Sequence, residues 1–345
     1  MGLSILKSIP DLTAKELYGK KILLRVDFNV PVLDGKISEC YRIKTNKETI
    51  DFLINNGAII GLVSHVTVVD SFKTIANQIK EILGVDLNFV GDCIGELVKI
   101  SINNAKPGSI FLLENIRKYK NEEKNNSEFA KKLAQPFDIY INNAFSVCHR
   151  NHASLVAVTD FLPAYAGLLL IKEVDHLNRA LKSSKENKTL IVGGNKIKTK
   201  LPIIKSFIDK TENILIGGAI TEDMLEKDSH IIFPKDYISE NGVISDIGPE
   251  TIKEFADIIN NSKIIIWNGP LGKIEDERFT DGSKKISEAI INSKAFSIVG
   301  GGDTVAFLER MKIVGKFNYV STGGGAMLEF LAGNKLPGLT ALGYE

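Results

Sequence analysis

Phe296-Ser297-Ile298-Val299-Gly300-Gly301-Gly302-Asp303-Thr304 is a short apolar run that ends in three glycines and opens a helix-like stretch. The same pattern recurs four more times in the second half of the chain. Leu190-Ile191-Val192 precedes Gly193-Gly194-Asn195-Lys196, and Ile214-Leu215-Ile216 precedes Gly217-Gly218. Ile264-Ile265-Ile266-Trp267 precedes Asn268-Gly269-Pro270, and Tyr319-Val320-Ser321 precedes Thr322-Gly323-Gly324-Gly325. A strand that ends in glycine and opens a helix lets a ligand approach the backbone and meets it with free N–H groups at the positive end of the helix dipole. One such unit is a weak signal. Five in half a chain suggest a sheet whose strand ends form a polyphosphate cradle.

The first half also alternates strand-like runs (21–26, 58–63, 109–113, 138–141) with helical patterns (45–55, 71–83, 127–133). Such alternation implies βαβ units and a mostly parallel sheet. Its strand ends differ in character, carrying Asp27, Asn29, His65, Glu114, Arg117, Asn142 and Asn143 instead of glycine. The change falls near an apolar-periodic stretch at 168–181, which reads as a connecting helix. The fold class expected is therefore α/β, with two Rossmann-like domains whose parallel sheets face a central cleft. The lysine- and asparagine-rich stretch 118–126 reads as a solvated loop.

Composition bounds the function classes. The 345 residues suit about two domains. Lys+Arg 43 against Asp+Glu 42 leaves a net charge of +1, which argues for neither a nucleic-acid nor a membrane surface. Cys40, Cys93 and Cys148 are odd in number and in no metal spacing, as suits reduced thiols in a cytoplasm. The apolar run at 164–171 is too short to span a bilayer. A cytoplasmic protein is expected.

Arg42, His65, Arg117, His149 and Arg150 form a basic set. Each alone is more often a surface charge or a satisfied polar group, whereas jointly they would make an anion pocket. His149 and His152 lack an acidic partner at ligand spacing and make a poor zinc site. Lys196 and Lys200 lie four apart at a helix start. They read either as a basic surface face or as a phosphate clamp. Neither a G-x-x-x-x-G-K-[ST] loop nor a G-x-G-x-x-G after a first strand occurs. Asp303, directly after three glycines, is the best candidate to hold magnesium beside phosphates. No catalytic-loop base for a hydroxyl acceptor is present, and a carboxylate acceptor, ionised above pH ~4, needs none.

These residues resemble the phosphoglycerate kinase family over essentially the whole chain. The matching motifs are Arg25-Val26-Asp27-Phe28-Asn29-Val30-Pro31, Leu113-Glu114-Asn115-Ile116-Arg117, and Ala144-Phe145 followed by His149-Arg150-Asn151-His152-Ala153-Ser154. Asp246-Ile247-Gly248-Pro249, Trp267-Asn268-Gly269-Pro270, residues 300–304, and 321–326 running into Leu328-Glu329-Phe330-Leu331 also match. The resemblance implies a hinge-bending enzyme that moves a phosphoryl group between ATP/ADP with Mg2+ and the carboxylate of 3-phosphoglycerate, with 1,3-bisphosphoglycerate on the other side. It implies small-molecule partners only, a glycolytic role and a monomer. The domains would be 1–170 for substrate, 171–332 for nucleotide, and a tail 333–345 returning to the first.

Carried over by motif, the resemblance places Asp27, Asn29, Arg42, His65, Arg117 and Arg150 on the substrate. Arg42 would also reach the transferring phosphoryl and Lys196 would sit on it. Lys200 would hold the nucleotide phosphates. Gly217 and Gly218 would border the adenosine, Asn268 would face the nucleotide and Glu275 would meet the ribose. Gly301, Gly302, Gly324 and Gly325 would offer amides, with Thr304 beside them and Asp303 on the metal. Gly301 and Gly324 thereby join Arg42 and Lys196 in the catalytic set.

Departures from the family pattern are as informative. Val66-Thr67-Val68-Val69 stands where the family shows Leu-Gly-Arg-Pro, so Val68 removes an arginine that normally grips the substrate phosphate. Asn143 replaces the usual aspartate, and Ser146-Val147 replace a Gly/Ala-Thr pair. Asn195, Lys198 and Thr199 alter the lysine loop, and Ala219 replaces a third glycine. A segment normally found between Leu225 and Ile231 is missing. Two other readings therefore stand beside an active kinase: a paralogue phosphorylating another carboxylate, and a non-catalytic binding protein. Retention of Arg42, Lys196, Lys200 and Asp303 together disfavours the last.

Overall fold

A computed structural model describes residues 6–195, 197–220, 224, 225 and 228–345. Lys196 therefore lies outside the described residues. The chain divides into two compact units, one running up to Asp175 and joined by Lys335–Glu345, the other His176–Asn334. The helix Leu168–Lys182 is continuous across that division.

The first unit is built on six parallel strands: β1 (Lys21–Arg25), β2 (Ile59–Val63), β3 (Leu87–Val90), β4 (Ile110–Leu113), β5 (Ile139–Asn142) and β6 (Ala164–Ala166). Their order is β3-β4-β2-β1-β5-β6. The central strand β2 is buried along its whole length, because helices cover both faces of a parallel sheet. The core between sheet and helices is filled by Ile22, Leu24, Ile60, Leu62, Leu112 and Ile141 with Phe28 and Phe72. The tail packs back on this unit, with the Gly338 N–H donating to the Cys148 carbonyl at 2.9 Å.

The second unit has β7 (Lys188–Val192), β8 (Asn213–Ile216), β9 (Ile231–Ile232), β10 (Ile264–Asn268), β11 (Phe296–Gly300) and β12 (Tyr319–Val320), all parallel. Their order, β9-β8-β7-β10-β11-β12, is that of a doubly wound dinucleotide-type sheet. The strand order reverses between β7 and β10, and ligands of such sheets bind at that crevice. All five glycine-ended strands of the sequence lie in this sheet.

The strands β3, β6 and β9 escape the sequence reading for one reason. Each lies at a sheet edge, where a strand needs no long apolar run; β3 is Leu-Asn-Phe-Val with Asn88 exposed. The stretch 118–126 requires a correction. It contains the helix Lys120–Glu123 and buries Glu122, whose carboxylate accepts from the Ser154 hydroxyl at 2.6 Å and the Ser154 N–H at 2.8 Å. The pattern at 45–55 is the helix Lys47–Asn55, preceded by a short helix Tyr41–Lys44, with Thr45 and Asn46 between them.

Candidate active site

Register sets the first unit's site. Arg25 lies opposite Val63 on β2 and Asn142 on β5, so these strands end level and the next residues emerge side by side. Asp27 therefore meets residues from three strand ends. Its carboxylate accepts from the Asn29 N–H at 3.0 Å and the Ser146 hydroxyl at 2.5 Å, with Arg42 at 3.5 Å and His65 at 3.8 Å. Burial pushes this carboxyl up, but Arg42, His65 and the bonds from Ser146 and Asn29 outweigh it and hold Asp27 below the ordinary carboxylate range. The His65 ring is driven down to about 3 by burial, against the pull of Asp27 and with Arg25, Arg117 and Arg150 repelling its proton. It is neutral near pH 7, so Arg42 is the cation that steadies Asp27.

Arg42 also donates to the Asn29 carbonyl at 3.0 Å. The Asn29 side-chain oxygen is taken by the Thr67 N–H and hydroxyl, both at 2.9 Å, so its amide N–H2 stays outside these two bonds. Arg117 is tied to Glu123 at 2.5 Å, yet its Nε is buried without a partner, as are Nδ1 of His65, His149 and His152. Arg150 is exposed, and its charge depresses the protonation of all three histidines. The Arg117 Nε–H, a buried donor left without a partner among other cations, is of the kind that an anionic ligand satisfies.

Two residues that the sequence reading named but gave no role organise this site. Glu114 accepts from Ser71, Phe72 N, Asn115 N and Lys118, and the Asn115 amide donates to the Val66 carbonyl at 2.8 Å. Together they pin the loop that carries Val68. The signal was an acidic-amide pair at the end of a strand, where a side chain can close back on a neighbouring loop. Ser146 stood out only as a departure from the family pattern, and its bond to Asp27 needed the fold to appear.

In the second unit, Val192 lies opposite both Ile216 and Asn268, and Asn268 lies opposite Gly300. The glycine loops thus emerge in one row. A Cβ on Gly193 would stand 2.1 Å from the Pro270 carbonyl oxygen, so only glycine fits at this junction of β7 and β10. Lys200 is buried there, its ammonium donating to the Gly193 carbonyl. The loop after β10 is clamped from two sides: the Trp267 indole donates to the Gly269 carbonyl at 2.8 Å, and the Gly269 N–H donates to the Thr304 hydroxyl at 2.9 Å. Thr304 is wholly buried and shapes the loop from beneath.

Gly301, at φ +103°, precedes the helix Gly302–Arg310, whose first turn carries the exposed Asp303. The Asn268 amide reaches the Gly324 carbonyl at 3.4 Å, and a Cβ on Gly324 would lie 3.5 Å from Gly301 Cα, so these loops touch. Gly217 and Gly218 adjoin the same row through Leu271 and Gly194. Glu275 lies exposed in a turn, and among the described residues no hydrogen bond ties it to the glycines. No group of three or more His, Cys, Asp or Glu side chains that could hold a metal occurs among the described residues.

Two parallel α/β units, one offering cations and the other glycine amides at level strand ends, define a phosphate-handling architecture. The family model described as phosphoglycerate kinase matches residues 11–232 and 221–334. A protein named phosphoglycerate kinase from Dictyoglomus turgidum is 39% identical over 390 aligned positions, covering 97% of this chain and 98% of that one. One from Borreliella burgdorferi is 36% identical over 391 positions, covering 98% and 99%. The solved phosphoglycerate kinase of Pyrococcus horikoshii OT3 is 29% identical with a TM-score of 0.89 over 98% of both chains. That of Coxiella burnetii is 30% identical with a TM-score of 0.79, over 98% of this chain and 99% of its own. The chain belongs to the phosphoglycerate kinase family. Alignments longer than its 345 residues mean that these relatives carry segments it lacks, and the family match breaks at 221–232, where the sequence reading places a missing segment.

Proposed function

We infer that this protein transfers a phosphoryl group between ATP and the carboxylate of 3-phosphoglycerate, giving 1,3-bisphosphoglycerate and ADP, and runs the same step in reverse within glycolysis. The observation that carries the reading is the cluster of Asp27, Arg42 and His65 at level strand ends, with unpartnered buried nitrogens beside it. The acceptor carboxylate is ionised at neutral pH, so its oxygen attacks the γ-phosphorus while the bond to the bridging oxygen of ADP breaks. No proton has to be removed. Arg42 and Lys196 would offset the charge spreading over the transferring oxygens, and Lys200 with the Gly301 and Gly324 loops would hold the phosphates. Asn29, Arg117 and Arg150 would orient the acceptor, while Gly217, Gly218, Asn268 and Glu275 would border the nucleoside.

Magnesium fits this donor set in one way. Asp303 is a single exposed carboxylate beside glycine loops, which suits a hexacoordinate ion carried in largely by phosphate oxygens and its own waters. Bound there, the ion would neutralise phosphate charge. A monomer acting in the cytoplasm accompanies the reading; among the described residues no helix is long and apolar enough to cross a membrane.

The test is a coupled assay with ATP and 3-phosphoglycerate, with other small carboxylates in parallel. Acceptor-dependent ADP release with 3-phosphoglycerate is expected. Release with another carboxylate and none with 3-phosphoglycerate would replace this reading with that of a paralogue.

A further inference from the structure

A buried amide relay runs through the first unit. The Leu169 N–H, in the first turn of the helix Leu168–Lys182, donates to the Asn143 side-chain oxygen at 3.1 Å. The Asn143 amide nitrogen donates to the Asn46 oxygen at 2.8 Å, and the Asn46 nitrogen donates to the Arg42 carbonyl at 2.7 Å. Asn143 and Asn46 are almost wholly buried, at 0% and 1% exposed. Both ends of the relay have fixed polarity, because a backbone N–H can only donate and a backbone carbonyl can only accept. Two amides in series carry that polarity without a break, and the orientation of each fixes that of the other. Gly167 makes the passage possible: a Cβ there would stand 2.2 Å from the Asn143 oxygen.

We propose that Asn143, through Asn46, is a positioning residue that sets the Arg42 turn against the head of the helix Leu168–Lys182. The inference rests on the reading above, in which Arg42 meets the transferring phosphoryl. Aspartate, the usual family residue at 143, is the wrong partner in this chain. Its second oxygen would face the Asn46 oxygen, and turning Asn46 to donate to it would set acceptor against acceptor at the Arg42 carbonyl. The Arg42 carbonyl would keep its bond from the Thr45 hydroxyl at 3.0 Å, but two facing acceptors repel, and small displacements of a catalytic group can cost about a hundredfold in rate. Thr49 gives the control. Its hydroxyl also donates to the Asn143 oxygen, at 3.0 Å, but lies off the relay.

Steady-state kinetics on Asn143→Asp, Asn46→Ala, the double variant and Thr49→Val test this. Asn143→Asp and Asn46→Ala should each lower kcat by roughly tenfold with the KM for ATP unchanged. The double variant should be no slower than the slower single, because both cut one relay. Thr49→Val should lower the urea midpoint while kcat stays within about twofold. A wild-type kcat for Asn143→Asp would overturn the proposal. So would a double variant as slow as the product of the singles, or a kcat loss in Thr49→Val equal to that of Asn143→Asp. Should Asn143→Asp fail to fold, Asn46→Ala decides by the same kcat criterion. Arg42→Ala separates the two levels: if it is slow while the relay variants are fast, only the relay fails, whereas a fast Arg42→Ala removes the Arg42 reading and this inference with it.

Discussion

Val68→Arg offers the sharpest examination of the acceptor site. Val68 is 54% exposed on a loop whose neighbours are held: Thr67 donates twice to Asn29, and Asn115 donates to the Val66 carbonyl and, at 3.4 Å, to that of Val69. A side chain placed at 68 thus leaves from a fixed backbone without disturbing a core. Lys118 cannot readily stand in for a missing arginine, because its ammonium is committed to Glu114 at 2.5 Å. A charge-assisted bond to the acceptor's phosphate contributes about 1.5–3 kcal/mol. Ordering a long arginine side chain offsets about 1–2 kcal/mol of it. The difference, about 1 kcal/mol, corresponds to a KM for 3-phosphoglycerate lower by roughly five- to tenfold. The turnover number should hold, because the contact is equal in ground and transition states. The gain should shrink as ionic strength rises, since the site is half open to solvent. Initial rates at fixed MgATP, at two salt concentrations, measure all three. An unchanged or raised KM would refute the argument, and loss of activity on another carboxylate without a gain here would mark that carboxylate as the acceptor.

Lys196→Ala should lower turnover by orders of magnitude and leave acceptor KM nearly intact, because its charge meets the developing transition state most strongly; an unchanged kcat removes Lys196 from the chemistry. Asp303→Asn should weaken the response to magnesium-nucleotide, a neutral amide being a poorer ligand for a hard cation, and a superimposable magnesium titration would place the ion elsewhere. His65 is held at about 3 by burial against 6.5 in the unfolded chain, so the unfolded state binds more protons and wild-type stability falls as pH drops from about 6.5 toward 3. At pH 5 that loss is about 2 kcal/mol, and urea unfolding at pH 7.5 and 5 should show His65→Gln spared about that amount; equal losses in both proteins would contradict the assignment.

The glycine-ended strands were legible because each pairs a local signal, an apolar run, with a local necessity, the absence of a side chain. Gly193 shows the necessity directly, for it abuts the Pro270 carbonyl. Edge strands such as Leu87–Val90 were not legible, because one unpaired side removes the demand for continuous apolar residues. Glu122 was misread for the opposite reason. A charged residue in a lysine- and asparagine-rich stretch carries a solvent signal, and only the Ser154 backbone and hydroxyl, 32 positions away, make its burial tolerable. Asp27, Arg42 and His65 were each legible as strand-end or basic residues, yet their mutual distances depend on register between β1, β2 and β5, which composition does not encode.

That contrast bears on how the enzyme tolerates its departures from the family pattern. The second unit's candidate phosphate site consists mainly of backbone, so substitutions there should survive if glycine stays at the close approaches and the clamps from Trp267 and Thr304 remain. The first unit presents side chains, and each is held by a second side chain: Asp27 by Ser146, Asn29 by Thr67, and the Arg42 turn by Asn46. Ser146, Thr67 and Asn143 all stand where the family pattern differs, and each makes a bond inside this network. At these three positions of the first unit the departing residue is hydrogen-bonded to a side chain of the site rather than left without a contact. Val68, exposed and unmatched by a new cation at its own position, is the departure for which the surrounding bonds supply no replacement.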